Sequence, residues 1–130
     1  MAGRWVACED APSTYDGLVR VWHGKLAGAP LPVYSGGCEA TIYGAPEVNH
    51  AFRAWHDAVH VRLGAAFTVE GEVRTALAQL WQARYLGASK LDLARLRADT
   101  IGQVAYFVRT GGFVKDQARY VAHVLEGWGV

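Results

Sequence analysis

From residue 46 onward, apolar positions recur every three or four residues, the spacing of one helix face. Val48, Phe52, Val59 and Leu63 form the first such stripe, with Trp55 at its edge. Pro46 is a favoured first-turn residue and Glu47 suits the positive end of a helix, so the first helix is predicted over 46–63, stopping at Gly64. Thr68 is a fitting N-cap for a second helix over 69–86, with Glu70 and Glu72 in its first turn and Val69, Val73, Ala76, Leu77, Leu80 and Trp81 at helical spacing. Ser89, with Asp92 in the capping-box position, opens a third over 90–109, whose apolar side is Leu93, Leu96, Ile101, Val104 and Val108. A fourth follows the break at "TGG" (110–112), over 114–126, with Val121, Val124 and Leu125 inward. Connections this short make neighbouring helices antiparallel.

The first 45 residues lack that period. They hold three of the four prolines and seven of the fifteen glycines, and "GKLAGAPLPVYSGG" (24–37) is turn chemistry. "VRVWHG" (19–24) and "CEATIYG" (38–44) read as short strands or extended chain. The expected fold class is therefore mainly α. A compact bundle of three to four helices is wrapped by an irregular N-terminal segment that has room for short β-strands. At 130 residues this is one domain, with 1–45 as the wrapping segment and 46–130 as the bundle.

Composition narrows the function classes. The chain is 52% hydrophobic and 19% charged, as a folded protein is, and 13 Lys and Arg scattered among 12 Asp and Glu give nucleic-acid binding no support. No apolar run approaches the ~20 residues of a membrane span. Cys8 and Cys38 follow a polar start without a secretory signal pattern, so two reduced thiols and a cytoplasmic location are expected. Trp5, Trp22, Trp55, Trp81 and Trp128 are expected mostly in the core, Trp22 and Tyr34 being the two aromatics placed to cap a pocket.

Chemistry concentrates in "NHAFRAWHDAVH" (49–60). At about 100° per residue, Asn49, Arg53, His56 and His60 share one stripe beside the apolar one, and His50 and Asp57 lie further round. Ala51, Ala54 and Ala58 occupy the remaining side, where Lys and Glu would mark solvent; alanines let another backbone approach. The helix is thus expected to be enclosed on two sides, with the Arg53/His56/His60 line facing a crevice. Its partners across the crevice are expected among Glu70, Glu72, Asp99 and Gln103. His56 and His60 are spaced i, i+4, which lets two imidazoles bind one ion, and Glu70 or Glu72 supplies a carboxylate; such a set suits Zn, Mn or Fe. Two other readings compete. Arg53 beside two histidines fits phosphate, with Asn49 and Gln103 as further substrate contacts. A histidine pair hydrogen-bonded to carboxylates at a helix seam needs no ligand at all. Asp57, four residues after Arg53, orients it or positions water, the latter role falling equally to Asp99. His23 and His123 stand alone, and Asp116, Gln117 and Tyr120 read as a helix start with a rim.

"HDAVH" resembles the signature of HD-domain metal-dependent phosphohydrolases. The resemblance implies a metal held by His56 and Asp57, an upstream His23 and a distant Asp99 or Asp116. Segments 41–72 and 99–121, about half the chain and most specifically "FRAWHD", are similar to small uncharacterised proteins of phages and prophages. That implies a phage-related origin and no particular activity. Three functions follow as expectations. One is a metal-dependent hydrolase acting on a nucleotide or other small phosphate. The second is a non-catalytic protein that inhibits a host or defence protein or sequesters a nucleotide. The third is a structural phage component.

Overall fold

The structure, a computed structural model, describes residues 5–24, 29–36, 43–112 and 114–129. It is mainly helical with one small sheet, as the pattern predicts. β1 (Trp5–Cys8), α1 (Tyr15–Gly24) and β2 (Leu31–Tyr34) form a β–α–β unit whose strands pair in parallel, Trp5 opposite Leu31 and Cys8 opposite Tyr34. The helices α2 (Pro46–Leu63), α3 (Val69–Tyr85), α4 (Lys90–Arg97), α5 (Gln103–Thr110) and α6 (Gln117–Gly127) follow.

The wrapping segment is more regular than its glycine and proline content suggests. Residues 19–24 lie inside α1, not in a strand. β-branched Val19 and Val21 are outvoted there, because Leu18, Val21 and Trp22 recur at helical spacing and pack beside Leu31 and Val33. Of the second expected extended run, 38–44, only Tyr43 and Gly44 fall within the described residues.

α2 begins and ends where its signals place it, Gly64 closing it in the left-handed conformation at φ 61°. Its orientation differs from the expected one. Val48 and Leu63 are exposed, whereas Asn49, Ala54, Ala58, Val59 and His60 are buried. The alanine side is the covered side: Ala54 packs into a cluster with Leu18, Leu31 and Val33 of the β–α–β unit. The helix is therefore clasped between that unit and α3, and alanine is what allows the close approach.

α3 departs further from its apolar pattern. Leu77, Trp81 and Tyr85 are exposed, Tyr85 by 90%, while Thr75 and Gln79 are wholly buried beside Ala76. The helix turns a Gly71–Glu72–Thr75–Gln79 face toward α2. Gly71 permits it, since a Cβ there would lie 1.8 Å from the Ala66 carbonyl oxygen of the incoming loop. Trp5, Trp81 and Trp128 are exposed too, so most of the tryptophans stand outside the core in which they are expected. Trp128 instead lies under the Arg97 guanidinium, 4.9 Å from its ring centre.

The expected helix 90–109 is broken by a π-turn at Ala98–Gly102. The extra residue shifts the register, so Leu96 before it is buried whereas Val108 beyond it is exposed. Thr100 Oγ1 donates to the Leu96 carbonyl at 2.7 Å, a back-bond that favours bending. Ala98 packs with Val121 and Leu125 of α6 in a second, apolar cluster, as the α6 spacing predicts.

Candidate functional site

Between α2, α3 and the π-turn lies a pocket of about 530 Å³. Asn49, Phe52, Arg53 and His56 line it from α2, Val69 and Glu72 from α3, and Asp99, Thr100, Gln103, Val104 and Phe107 from the α4–α5 region. The expected crevice is there, with Asp99 and Gln103 across it, and Asn49, Arg53 and His56 of the expected stripe line it; His60, expected to face it too, is wholly buried and outside the lining.

At its base three side chains converge. His56 Nε2 and His60 Nε2 each lie 3.1 Å from the same Glu72 oxygen, and the two nitrogens lie 3.1 Å from each other. Local structure explains each position. His56 and His60 are one helical turn apart. Thr68 caps α3 by accepting from the Gly71 backbone N–H at 3.1 Å, which fixes where Glu72 in the first turn points. The tight turn after Gly64 aims the Ala65 carbonyl back at α2.

The outer ring nitrogens decide what the inner ones carry. His60 Nδ1 lies 2.8 Å from the Ala65 carbonyl oxygen, which only accepts, so that nitrogen donates and carries a proton. His56 Nδ1 lies 2.8 Å from the Gln79 side-chain oxygen, with the same consequence. In neutral rings both Nε2 atoms then present lone pairs toward a carboxylate. Three lone-pair atoms this close repel unless a positive charge sits among them. One source is a proton on His56, donated toward Glu72. The other is a divalent ion. Among the described residues these three form the group whose ligand atoms suit a metal, all within 4.8 Å of one another. His56, His60 and Glu72 are the residues that would hold such an ion, two neutral imidazoles and a carboxylate being a donor set that suits Zn or Fe. Outer nitrogens bonded to a carbonyl and an amide are the support that metal-binding imidazoles commonly have.

The titrations follow the same geometry. Burial works against a charged His56, but the hydrogen bonds to Glu72 and Gln79 and the charges of Glu72 and Asp57 outweigh it and raise its pKa. Burial likewise opposes a charged Glu72, yet its hydrogen bonds to both imidazoles hold it down at about 2. Burial is the largest influence on Asp57 and pushes it up to about 6 against the pull of His56, His60 and Arg53. It also raises Asp99, although Tyr43 and Gln103 donate to that carboxylate.

The other expected residues divide. Arg53 lines the pocket, donates to the Tyr34 backbone carbonyl and lies over the Tyr34 ring. Asp99 accepts from Tyr43 Oη at 2.8 Å and Gln103 Nε2 at 2.7 Å. Glu70 is exposed and outside the histidine group, so of the two glutamates it is Glu72 that the structure brings in. Asp57 is half-buried and outside the pocket lining. His23 is exposed at the end of α1, and exposed Asp116 caps α6 by accepting from the Arg119 backbone N–H; neither joins the group. Gln79, Tyr43 and Phe107 escape the sequence reading. Gln79 had a usable signal: a glutamine seven residues after Glu72 shares its helix face.

Comparison with protein-family models, curated proteins and solved structures gives no significant match.

Proposed function

We propose that the protein is a metal-dependent hydrolase whose divalent ion is held by His56, His60 and Glu72. The observation that carries this is the anchoring of both outer ring nitrogens, which leaves two imidazole lone pairs and a carboxylate oxygen meeting at one point. Two of the three ligands line the pocket, so the ion's remaining positions face the space a substrate would enter. There the ion would lower the pKa of a bound water and polarise the bond under attack. Asp99, the carboxylate across the pocket, would serve as the proton acceptor for that water, and Arg53, Asn49 and Gln103 would position the substrate.

Metal content of the purified protein tests this reading. The expected result is one Zn, Mn or Fe per chain after exposure to the ion, lost in Glu72→Ala. An equal metal content in wild type and Glu72→Ala, or none in either, would overturn it.

A further inference from the structure

One side of α3 is an apolar row open to solvent. Leu77, Trp81 and Tyr85 follow one another at four-residue steps and are 49%, 70% and 90% exposed. Apolar side chains exposed singly are ordinary, but a continuous row of this kind marks a contact surface. Ala78 lies beside the row and is small enough to let a second backbone come close. Glu72 and Gln79 face α2 on the other side of the helix, so this row is independent of the histidine group.

The charges along the row say what covers it. Glu70 lies seven residues before Leu77 and Arg84 seven after. Each therefore stands about two turns, or about 10.5 Å, from Leu77 and on its side of the helix. The Arg84 guanidinium lies 5.9 Å from the Trp81 ring centre, which places it on the row. Both Glu70 and Arg84 are exposed, and neither forms an ion pair among the described residues. A second α3, antiparallel and related by a two-fold axis at Leu77, sets Glu70 of each copy against Arg84 of the other. A parallel one sets Glu70 against Glu70 and Arg84 against Arg84, and like charges repel. The antiparallel register also brings exposed Arg74, three residues before Leu77, level with Trp81 of the other copy, four residues after it. A guanidinium beside an indole face is a favourable pair. A patch that complements itself in this way is what a two-fold contact requires.

We propose that the protein forms a two-fold homodimer by antiparallel packing of α3 on α3, with Leu77 at the axis and Trp81 as the main contact. Trp81 and Tyr85 together offer about 300 Å² per copy, given the ~150–250 Å² that one aromatic side chain buries. With Leu77 and the flanking charged side chains, two copies bury about 1,000 Å², the lower limit for a specific contact. A contact of that size gives a dissociation constant of about 10–100 µM, so dilute protein is monomeric with Trp81 in water.

Sedimentation equilibrium of the full chain, from micromolar to millimolar concentration, tests it. The expected result is a monomer–dimer equilibrium that Trp81→Gln weakens about 10-fold or more, because a central tryptophan carries much of a contact's affinity. Glu70→Arg is expected to weaken it about 10-fold by setting like charges together at both ends, and Glu70→Arg with Arg84→Glu to restore it to within about 3-fold of wild type. A monomer at millimolar concentration overturns the proposal and leaves the row to a partner of other chemistry or to solvent. A dimer that Trp81→Gln does not weaken overturns it too. A double variant no tighter than Glu70→Arg overturns the antiparallel register, since Glu70 and Arg84 would then not meet.

Discussion

Two of the seams described in this small protein are built from opposite materials. Where the π-turn meets α6, Ala98, Val121 and Leu125 close on one another with Ala94 and Val124 around them. Where α2 meets α3, the buried residues include His60, Thr75 and Gln79. Gln79 Nε2 and Thr75 Oγ1 have no hydrogen-bond partner among the described residues. Meanwhile α3 turns Leu77, Trp81 and Tyr85 to its exposed side. A helix selected for stability alone would face the other way, because burying polar groups costs free energy that apolar packing supplies. The difference teaches that the α2–α3 seam serves a purpose other than stability, and that the apolar seam supplies part of what it forgoes.

Breaking each seam should therefore break a different property. Glu72→Ala removes the one carboxylate from the three-atom group, and metal affinity should fall at least about 100-fold, because two imidazoles alone leave a divalent ion under-coordinated. Leu125→Ala in the apolar seam should lower unfolding stability by about 2–5 kcal/mol, the usual cost of truncating a buried leucine, and leave metal affinity unchanged. Chelator competition and denaturant unfolding on both variants read the two effects. A large loss of metal affinity in Leu125→Ala would mean the seams are not separable.

Gln79→Met sharpens the contrast within the polar seam. It deletes the acceptor that orients His56, and loss of such a supporting partner typically costs 10–100-fold in metal affinity. It also deletes a buried amide nitrogen with no hydrogen-bond partner, so unfolding stability should stay within about 1 kcal/mol of wild type or rise. Metal affinity unchanged in this variant would show that His56 is positioned by something else.

Acidity separates the proton from the ion as the charge that fills the group. His56 has a folded pKa raised above its ordinary 6.5, so its contribution is full below 6.5 and disappears as the pH rises through the folded value. Glu72 is lowered from 4.5 to about 2, so its contribution is full above 4.5 and disappears as the pH falls toward 2. Metal-free protein should thus hold the full benefit of the pair between pH 4.5 and 6.5 and lose stability on either side. On the proposed reading a divalent ion would replace the proton on His56, so the stabilisation that metal brings should grow as the pH rises from 6 to 8. Thermal unfolding across that range, with and without Zn, checks it. A metal effect that shrinks with rising pH would contradict proton–metal exchange at His56.

Much of this was legible in the chain, and what was not has identifiable causes. Pro46, Gly64, Thr68 and Ser89 mark helix ends because caps act locally. The His56/His60 line and its crevice follow from helical spacing and from the alanines opposite. Which glutamate joins them does not follow. Glu70 and Glu72 sit in the same first turn, and which of them meets the histidines depends on how the face of α3 that contains Gly71 packs against α2, a tertiary event. The rotation of α2 was hidden because Val48 and Leu63 are apolar yet exposed, and the side packed on the β–α–β unit is marked by alanine. The π-turn leaves no local pattern in "ADTIG". It carries Asp99 and Thr100 into the pocket wall all the same.

The smallest expected effect concerns the face that α3 turns outward. Trp81 is 70% exposed, with the Arg84 guanidinium 5.9 Å from its ring centre. Tryptophan at a helical, core-like spacing would ordinarily be an expensive residue to remove, several kcal/mol when buried. Here most of its surface is already in water, so Trp81→Gln should change unfolding stability by less than about 0.5 kcal/mol, and metal affinity by nothing measurable. Trp55, on the facing helix, is the control within the same pair of elements. It is half-buried and its indole N–H donates to Gln82 at 2.6 Å, so Trp55→Gln should cost more. Equal and large losses in both variants would mean that Trp81 is covered in solution. The inversion of α3, polar side in and apolar side out, would then need a different explanation from the demands of the histidine group.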